Sequence, residues 1–391
     1  MAEPTVLPPS DWFGRADLAA LVAALGPGNA RYVGGVVRDT LLGLAPKDVD
    51  MATVLLPAET MERLAAGGIR AVPTGLAHGT ITAVLEGGPV EITTLRCDVE
   101  TDGRHATVAF SKEWREDAAR RDFTINALYA DPVSGEVFDW FGGLEDLHVR
   151  RVRFIGDAET RIREDYLRIL RYFRFQARFG TVPADAQAEA AVQALSAGLK
   201  GLSRERIAGE LLALLGLPAP SATLARMAEL GVLAQVLPEA DPAPLAPLEA
   251  TEAREGTAPD PLRRLAAVLP ADPVAVDQIG ARLRLSSAQR KRLAAAARRS
   301  GAETEDEARA LAYRFGPDEA RDRMLLAGRS LAPLADWHVP RFPLKGGDVV
   351  ARGVGAGPQV AATLRKVEDG WVAAGFDDAA IPALLDAALS R

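Results

Sequence analysis

Two acidic residues close to a glycine pair are the most chemically informative feature of the sequence. Asp48 and Asp50 are separated by one residue, in the segment GGVVRDTLLGLAPKDVD that begins at Gly34. Residues i and i+2 of a strand point to the same side, and two carboxylates at that spacing can bind a hard divalent cation such as Mg²⁺. Gly34 and Gly35 let a polyphosphate approach the backbone, and the predicted helix after them offers unpaired N–H groups. This combination predicts chemistry on a nucleoside triphosphate.

A third acid, Glu91, lies in the apolar, strand-like run 89–95 (PVEITTL). If this strand adjoins the strand of the two aspartates, the Glu91 carboxylate can reach the same metal ions. The alternative is an edge strand on which Glu91 faces water.

A further candidate is the segment RRDFTINAL, residues 120–128. Adjacent arginines usually belong to a solvated surface, but here polar residues alternate with apolar ones directly after Arg121. That pattern predicts a buried hydrogen-bond network that orients an arginine toward phosphate or ribose.

Asp165 and Arg168 suggest how a base could be read. They lie in the segment 148–178, which has nine arginines against four acids. A carboxylate accepts from an exocyclic amine, and a guanidinium donates to the ring nitrogen beside it. Cytosine and adenine present that edge, whereas uracil and guanine do not, so one such pair could accept CTP and ATP. The alternative is an i, i+3 salt bridge on an exposed helix.

Composition narrows the classes of protein. The 391 residues suffice for two or more domains, and 48% apolar with 25% charged residues is ordinary for a globular protein. No apolar run approaches the roughly 20 residues of a membrane span, and no signal peptide is recognised. A single cysteine, Cys97, fits a reducing cytoplasm, and the four histidines lack zinc-ligand spacing. The net charge of −7 argues against a general polyanion binder, so any nucleic-acid contact must use a local basic surface.

The pattern along the chain predicts an α+β head followed by helices. Strand-like runs alternate with helices and turns from residue 31 to about 147, and helical periodicity dominates afterwards, as in the stripe Ile207, Leu211, Leu214 and Leu215. Six prolines between Pro238 and Pro261 predict a loop or linker.

Taken together, the chain resembles the class II tRNA nucleotidyltransferase and bacterial poly(A) polymerase family. The resemblance covers residues 31–215, and its five motifs occur in the family's order. They are GGVVRD with DVD, RRDFTINAL, GGLEDL (142–147), EDYLRILRYFRF (164–175) and the run from Arg204 to Leu211.

The resemblance implies a set of roles and an architecture. Asp48 and Asp50 would bind two Mg²⁺ ions with Glu91 as the third carboxylate, and Asp165 and Arg168 would read the base. The other implied nucleotide-binding residues are Gly34, Gly35, Arg38, Arg121, Arg171 and Arg174. The architecture would be a nucleotidyltransferase head (1–147) with a small mixed sheet, then a helical neck (148–215), body (216–300) and tail (301–391), the tail binding tRNA.

The activity that the resemblance implies is addition of CCA to the tRNA 3′ end from CTP and ATP, with no membrane and no protein partner. Alternatives within the family are poly(A) polymerase and A-adding activity. The polar run 96–106 favours the first reading, because it resembles the flexible loop of CCA-adding members, although it could be a plain connection. A catalytically silent RNA-binding protein on the same fold would have lost the metal carboxylates, which are present here.

Overall fold

The computed structural model describes residues 4–102 and 105–390. The chain forms two compact units. The first comprises Met1–Ser203 with Arg226–Val236, and the second comprises Arg204–Ala225 with Leu237–Arg391.

The first unit is built on a mixed sheet, as the sequence predicts. Seven strands are ordered β3-β4-β5-β2-β1-β8-β9, and β6 and β7 form a separate hairpin. β2 and β5 run parallel, and the other pairs are antiparallel. The strands within the described residues are β1 (Ala30–Val33), β2 (Val49–Thr53), β3 (Ala71–Gly75), β4 (Thr80–Leu85), β5 (Gly88–Thr94), β6 (Arg96–Asp102), β7 (His105–Phe110), β8 (Tyr129–Ala130) and β9 (Val137–Phe138).

The remainder of the described chain is helical, which confirms the predicted fold class. The α-helices are α1 (Ala16–Leu25), α2 (Gly35–Leu41), α3 (Pro57–Ala66), α4 (Trp114–Ala119), α5 (Gly143–His148), α6 (Ala158–Glu164), α7 (Leu167–Phe179), α8 (Ala186–Leu195), α9 (Arg204–Leu215), α10 (Ser221–Glu229), α11 (Leu233–Val236), α12 (Leu245–Arg254), α13 (Pro261–Val268), α14 (Pro273–Arg282), α15 (Ser287–Ala296), α16 (Ala308–Phe315), α17 (Pro317–Leu326), α18 (Gly346–Val350), α19 (Pro358–Ala373) and α20 (Ile381–Leu389).

In the helical part, one sequence prediction is confirmed and another is only partly correct. The apolar stripe that begins at Ile207 is buried on α9, as predicted. The proline-rich stretch 238–261 is not only a loop, because α12 lies within it. Pro244 is the N-cap of that helix and Pro247 lies in its first turn, where a missing backbone N–H is tolerated.

The sheet has one well-packed face around β4 and β5. Ile81, Ala83, Val90 and Ile92 are fully buried, and they alternate with exposed or half-buried residues along each strand. α3 contacts both β3 and β4. This alternation is typical of a sheet that is covered on one side only.

The run 96–106, predicted as a flexible loop, coincides with the β6–β7 hairpin. Gly103 and Arg104, at the centre of that run, lie outside the described residues. The base of the hairpin is described: Arg96 pairs with Phe110, and Ser111 N donates to Leu95 O at 2.8 Å.

In the part of the chain that the structure covers, every helix is too short or too polar to cross a membrane.

Candidate active site

Two of the three predicted metal carboxylates are direct neighbours in the sheet. β2 and β5 pair in parallel with Asp50 opposite Glu91, so the two side chains leave the same face. Asp48 differs from the prediction, because β2 begins at Val49 and Asp48 lies exposed in the preceding bend. The expectation that both aspartates lie on one strand is therefore wrong for Asp48, although it remains only two residues from Asp50.

The electrostatics of Asp50 reflect its neighbours. Burial, followed by the charges of Glu91 and Asp48, raises the pKa of the Asp50 carboxyl, and with the opposing effect of Arg121 included that pKa is about 6. Like charges held together in a partly desolvated site are the condition that a divalent cation relieves. Within the described residues, no three His, Cys, Asp or Glu side chains are already arranged as a metal-binding cluster.

The glycine pair differs between its two members. Gly34 has φ of 72°, a conformation that strains any side chain, and a Cβ there would press on the Arg121 guanidinium at 3.0 Å. Gly35 begins α2 without a positive φ, and a Cβ there would make only an ordinary contact with Arg38, at 3.7 Å. Packing within the protein therefore does not require a glycine at position 35. Close approach of a ligand to the backbone would require one.

Arg121 is oriented by two residues that the sequence analysis did not single out. Arg121 Nε donates to Tyr129 Oη at 3.1 Å, and Tyr129 Oη donates to Asp117 Oδ2 at 2.5 Å. Asp117 also lies 3.5 Å from an Arg121 terminal nitrogen. The i, i+4 spacing of Asp117 and Arg121 is the sequence signal that could have found this pair. The guanidinium is thereby held beside Gly34 and within electrostatic reach of Asp50.

Arg38 has a different environment from the one predicted. It is buried, its Nε donates to Asp39 at 2.8 Å, and a terminal nitrogen bonds the Asn126 side-chain oxygen. Burial lowers the pKa of its guanidinium, and the adjacent Asp39 partly offsets that effect. Arg38, which was predicted to contact phosphate, is thus already bonded to Asp39 and Asn126 within the protein.

The buried polar network predicted for residues 120–128 is confirmed. Asp122 is buried and accepts from Asn126 at 2.9 Å and from Arg171 Nε at 2.7 Å. Burial would raise the pKa of the Asp122 carboxyl, but Arg171 and Asn126 dominate, so the pKa lies below its ordinary value. Asp122 therefore fixes Arg171 as an ionised partner, and Asn126 links this network to Arg38.

The predicted base-reading residues do not share one continuous helix. α6 ends at Glu164 and α7 begins at Leu167, so Asp165 lies in the break with an extended backbone. Asp165 Oδ1 accepts from Leu167 N at 3.1 Å. Arg168, in the first turn of α7, donates to the backbone oxygens of Arg161 at 2.8 Å and Arg120 at 3.1 Å. Asp165 and Arg168 therefore do not share one helix, and Arg168 pairs with Glu164 at 2.5 Å and ties α7 to the residue before Arg121.

Along α7, arginines and phenylalanines pack against each other. Arg174 lies 4.8 Å and Arg171 5.5 Å from the Phe175 ring centre, and Arg38 lies 4.2 Å from that of Phe179. Such cation–π contacts hold guanidinium groups without neutralising them. The first unit thus concentrates positive charge along α7.

Family models and relatives match this arrangement. The model described as "Poly A polymerase head domain" matches residues 30–153, and that described as "Probable RNA and SrmB- binding site of polymerase A" matches residues 185–243. The mouse protein "CCA tRNA nucleotidyltransferase 1, mitochondrial" is 36% identical over 367 residues, covering 88% of this chain and 83% of the mouse protein. The CCA-adding enzyme of Geobacillus stearothermophilus is 38% identical over 206 residues, covering 52% of this chain and 50% of that protein.

Solved structures show the same fold. The Bacillus stearothermophilus CCA-adding enzyme in complex with CTP has a TM-score of 0.69 at 26% identity, covering 92% of this chain and 93% of that one. The Thermotoga maritima CCA-adding enzyme complexed with tRNA also has a TM-score of 0.69, at 21% identity, over 93% of this chain and 91% of that one.

Proposed function

This chain belongs to the tRNA nucleotidyltransferase and poly(A) polymerase family, and from that membership we propose that it adds C, C and A to the 3′ end of tRNA from CTP and ATP. The relatives named CCA tRNA nucleotidyltransferase and CCA-adding enzyme support this over poly(A) polymerase or A-adding activity. The observation that carries the proposal is the in-register pairing of Asp50 with Glu91 beside Gly34 and Arg121.

We propose that Asp48, Asp50 and Glu91 hold two Mg²⁺ ions. A partly buried Asp50 whose pKa is raised by burial and by the neighbouring Glu91 and Asp48 charges, together with an open Gly35 backbone, fits a metal-bound triphosphate. When bound, such ions activate the attacking hydroxyl and stabilise the charge on the departing pyrophosphate.

The other residues act by position and charge. Arg121, fixed by Tyr129 and Asp117, presents its guanidinium beside Gly34, where it can bind phosphate oxygens. Arg38 and Asn126 brace the start of α2 from inside, and Arg171 and Arg174 add positive charge along α7. These fixed charges stabilise the transition state better than water does, because water molecules must reorient as the charge develops and the protein groups need not.

We propose that Asp165 and Arg168 select CTP and ATP. The break between α6 and α7 supports this role, because it removes Asp165 from the helix surface. Arg168 is anchored by two backbone oxygens, which limits its guanidinium to one orientation. A site built to bond one base edge rejects edges that leave its polar groups unpaired.

We also propose a cellular compartment and a set of domain boundaries. A single cysteine supports a reducing compartment such as the cytoplasm. The head, neck, body and tail division at residues 147, 215 and 300 remains a proposal, since contacts divide the chain into two units instead.

The direct test is incubation with a tRNA transcript lacking its 3′ CCA, with CTP, ATP or both, followed by sequencing of the product. We expect CC with CTP alone and CCA with both nucleotides. Long A tails would indicate poly(A) polymerase activity, and addition of A only to a tRNA already ending in CC would indicate an A-adding enzyme. Tight RNA binding without extension would support the silent RNA-binding alternative.

A further inference from the structure

The acidic pair belongs to a longer row of side chains that crosses the sheet. The registers place Asp50 opposite Glu91, Glu91 opposite Thr82, and Thr82 opposite Val72. Residues in register on neighbouring strands share a face, so this row crosses β2, β5, β4 and β3 over about 14 Å at the usual strand spacing.

Beyond Glu91, that face is not covered by the described protein. Val72 is 37% and Val84 45% exposed, although both belong to a folded sheet. We call the surface formed by Val72, Thr74, Thr82, Val84 and Pro89 the open face. The hydroxyls of Thr74 and Thr82 are 2.7 Å apart on it. On β4 and β5 the opposite side is largely buried, so the exposed residues of these two strands lie on the side that carries the acids.

One cation lies at the margin of the open face. Val84 N donates to the backbone oxygen of Arg70 at 2.8 Å, which brings Arg70 alongside Val84. The Arg70 side chain is exposed and forms no hydrogen bond or ion pair with the residues that the structure describes. The open face therefore combines hydroxyls, small apolar groups and a free guanidinium, which suits ribose, the edges of bases and a phosphodiester.

The geometry of the reaction separates this face from the nucleotide. Gly34 and Arg121 lie toward β1 and β8, on the opposite side of Asp50 from β5, β4 and β3 in the strand order. In an in-line displacement the attacking and leaving oxygens stand on opposite sides of the phosphorus. If the triphosphate lies against Gly34 and Arg121, the attacking hydroxyl must arrive from the side of the open face.

We propose that the open face binds the last nucleotides of the acceptor RNA, with the Thr82 hydroxyl on a ribose and Arg70 on a phosphodiester. The assignment rests on the proposed function, because it needs an RNA 3′-hydroxyl as the attacking group. The acceptor RNA is the expected ligand because the open face is continuous with the row of Asp50 and Glu91, where the RNA 3′-hydroxyl must react.

The first test is Thr82→Glu, which places a negative charge in the centre of the open face. The control is Ala66→Glu, which adds the same charge at an exposed position of α3. We expect the KM for a tRNA lacking CCA to rise about tenfold or more in Thr82→Glu because like charges oppose each other, with the KM for CTP within about twofold. Both KM values should be unchanged in Ala66→Glu.

The second test is Arg70→Ala, with tRNA binding measured at several salt concentrations without nucleotide. Loss of one phosphate contact should weaken binding and reduce the slope of log K against log salt by about one. Circular dichroism confirms folding of each variant. If the wild-type protein extends tRNA but Thr82→Glu and Arg70→Ala keep wild-type RNA affinity and KM, the open face is not the acceptor site. If the wild-type protein does not extend tRNA at all, the proposed function itself fails.

Discussion

Among single residues, Asp50 shows most directly how function and stability oppose each other. Its folded pKa of about 6 lies above the ordinary value of 3.8, so ionisation costs more in the folded than in the unfolded state. The folded state consequently loses stability as the pH rises from about 4 to about 6, and the loss is complete above that range.

We predict that Asp50→Asn stabilises the metal-free protein while abolishing nucleotide addition. The free energy of unfolding should rise by about 1–2 kcal/mol at pH 7.5 and by much less at pH 4.5, since Asp50 is largely protonated there. Turnover should fall by a factor of thousands or more, because the charge that would hold the metal ions is lost. Urea unfolding in EDTA at both pH values measures the first effect, with the exposed Asp11→Asn as control. Equal stabilisation at both pH values would contradict the electrostatic explanation.

At the same scale, Asp165 and Arg168 make a testable pair. We predict that Asp165→Ala and Arg168→Ala each lower the ratio of kcat/KM for CTP over UTP by about tenfold or more. In the wild type a bound uracil would leave these side chains without hydrogen-bond partners, and each substitution removes part of that penalty. Arg163→Ala is the control, since among the described residues Arg163 forms an exposed pair with Glu159, of the kind that contributes under about 1 kcal/mol. An unchanged ratio in both test variants would make the pair structural.

At the scale of elements, α4 connects the hairpin to the nucleotide side of the site. Asp117 Oδ1 accepts from Arg96 N at 3.1 Å at the base of β6, and Glu116 accepts from the Ser111 hydroxyl at 2.5 Å after β7. Asp117 is also bonded to Tyr129, which holds Arg121. One short helix therefore fixes the hairpin base and orients Arg121.

We predict that Tyr129→Phe reduces kcat/KM for both CTP and ATP by about tenfold to a hundredfold, because Arg121 loses a hydrogen bond that sets its direction. Ser111→Ala breaks the other attachment of the hairpin without touching Arg121, so it should leave CTP incorporation near wild type. Steady-state kinetics on a tRNA lacking CCA compares the two variants. Similar losses in both would show that the effect comes from a general loosening of α4.

The elements also show why sequence reasoning succeeded in some places and failed in others. The apolar, strand-like run 89–95 predicted β5, and the run GGVVRD predicted the start of α2, because both signals are local. The break at Asp165 has no Gly or Pro signal, since the two residues between α6 and α7 are Asp165 and Tyr166. Some bonds at the break are local, but Arg168 also donates to the backbone oxygen of Arg120, 48 positions away, which no local pattern indicates. Tyr129, eight positions from Arg121, was missed because no local pattern connects the two, whereas the i, i+4 spacing of Asp117 and Arg121 was a local signal that went unused.

At the scale of the whole molecule, both units bury ionic groups. The first buries ion pairs beside its sheet, and the second buries a network in which one glutamate bonds two arginines. Glu252, 2% exposed, accepts from Arg263 Nε at 2.8 Å and from Arg264 Nε at 2.9 Å. Arg264 also donates to the backbone oxygens of Leu215 at 2.8 Å and Pro218 at 3.1 Å. Neither arginine in PDPLRRLA could be recognised as buried from the sequence, because its partners lie elsewhere in the chain.

We predict that Glu252→Gln destabilises the second unit by about 3–5 kcal/mol, because it removes the charge that compensates two buried guanidinium groups. Arg352→Ala is the control, since its pair with Asp386 is half-exposed and contributes under about 1 kcal/mol. Limited proteolysis with mapping of the cleavage sites would show which unit opens, and calorimetric CTP titration would report on the first unit. We expect cleavage in Glu252→Gln to begin after residue 237 while CTP affinity stays within about twofold of wild type. If Glu252→Gln loses CTP binding under the same conditions in which the second unit becomes sensitive to protease, the two units unfold as one cooperative structure instead.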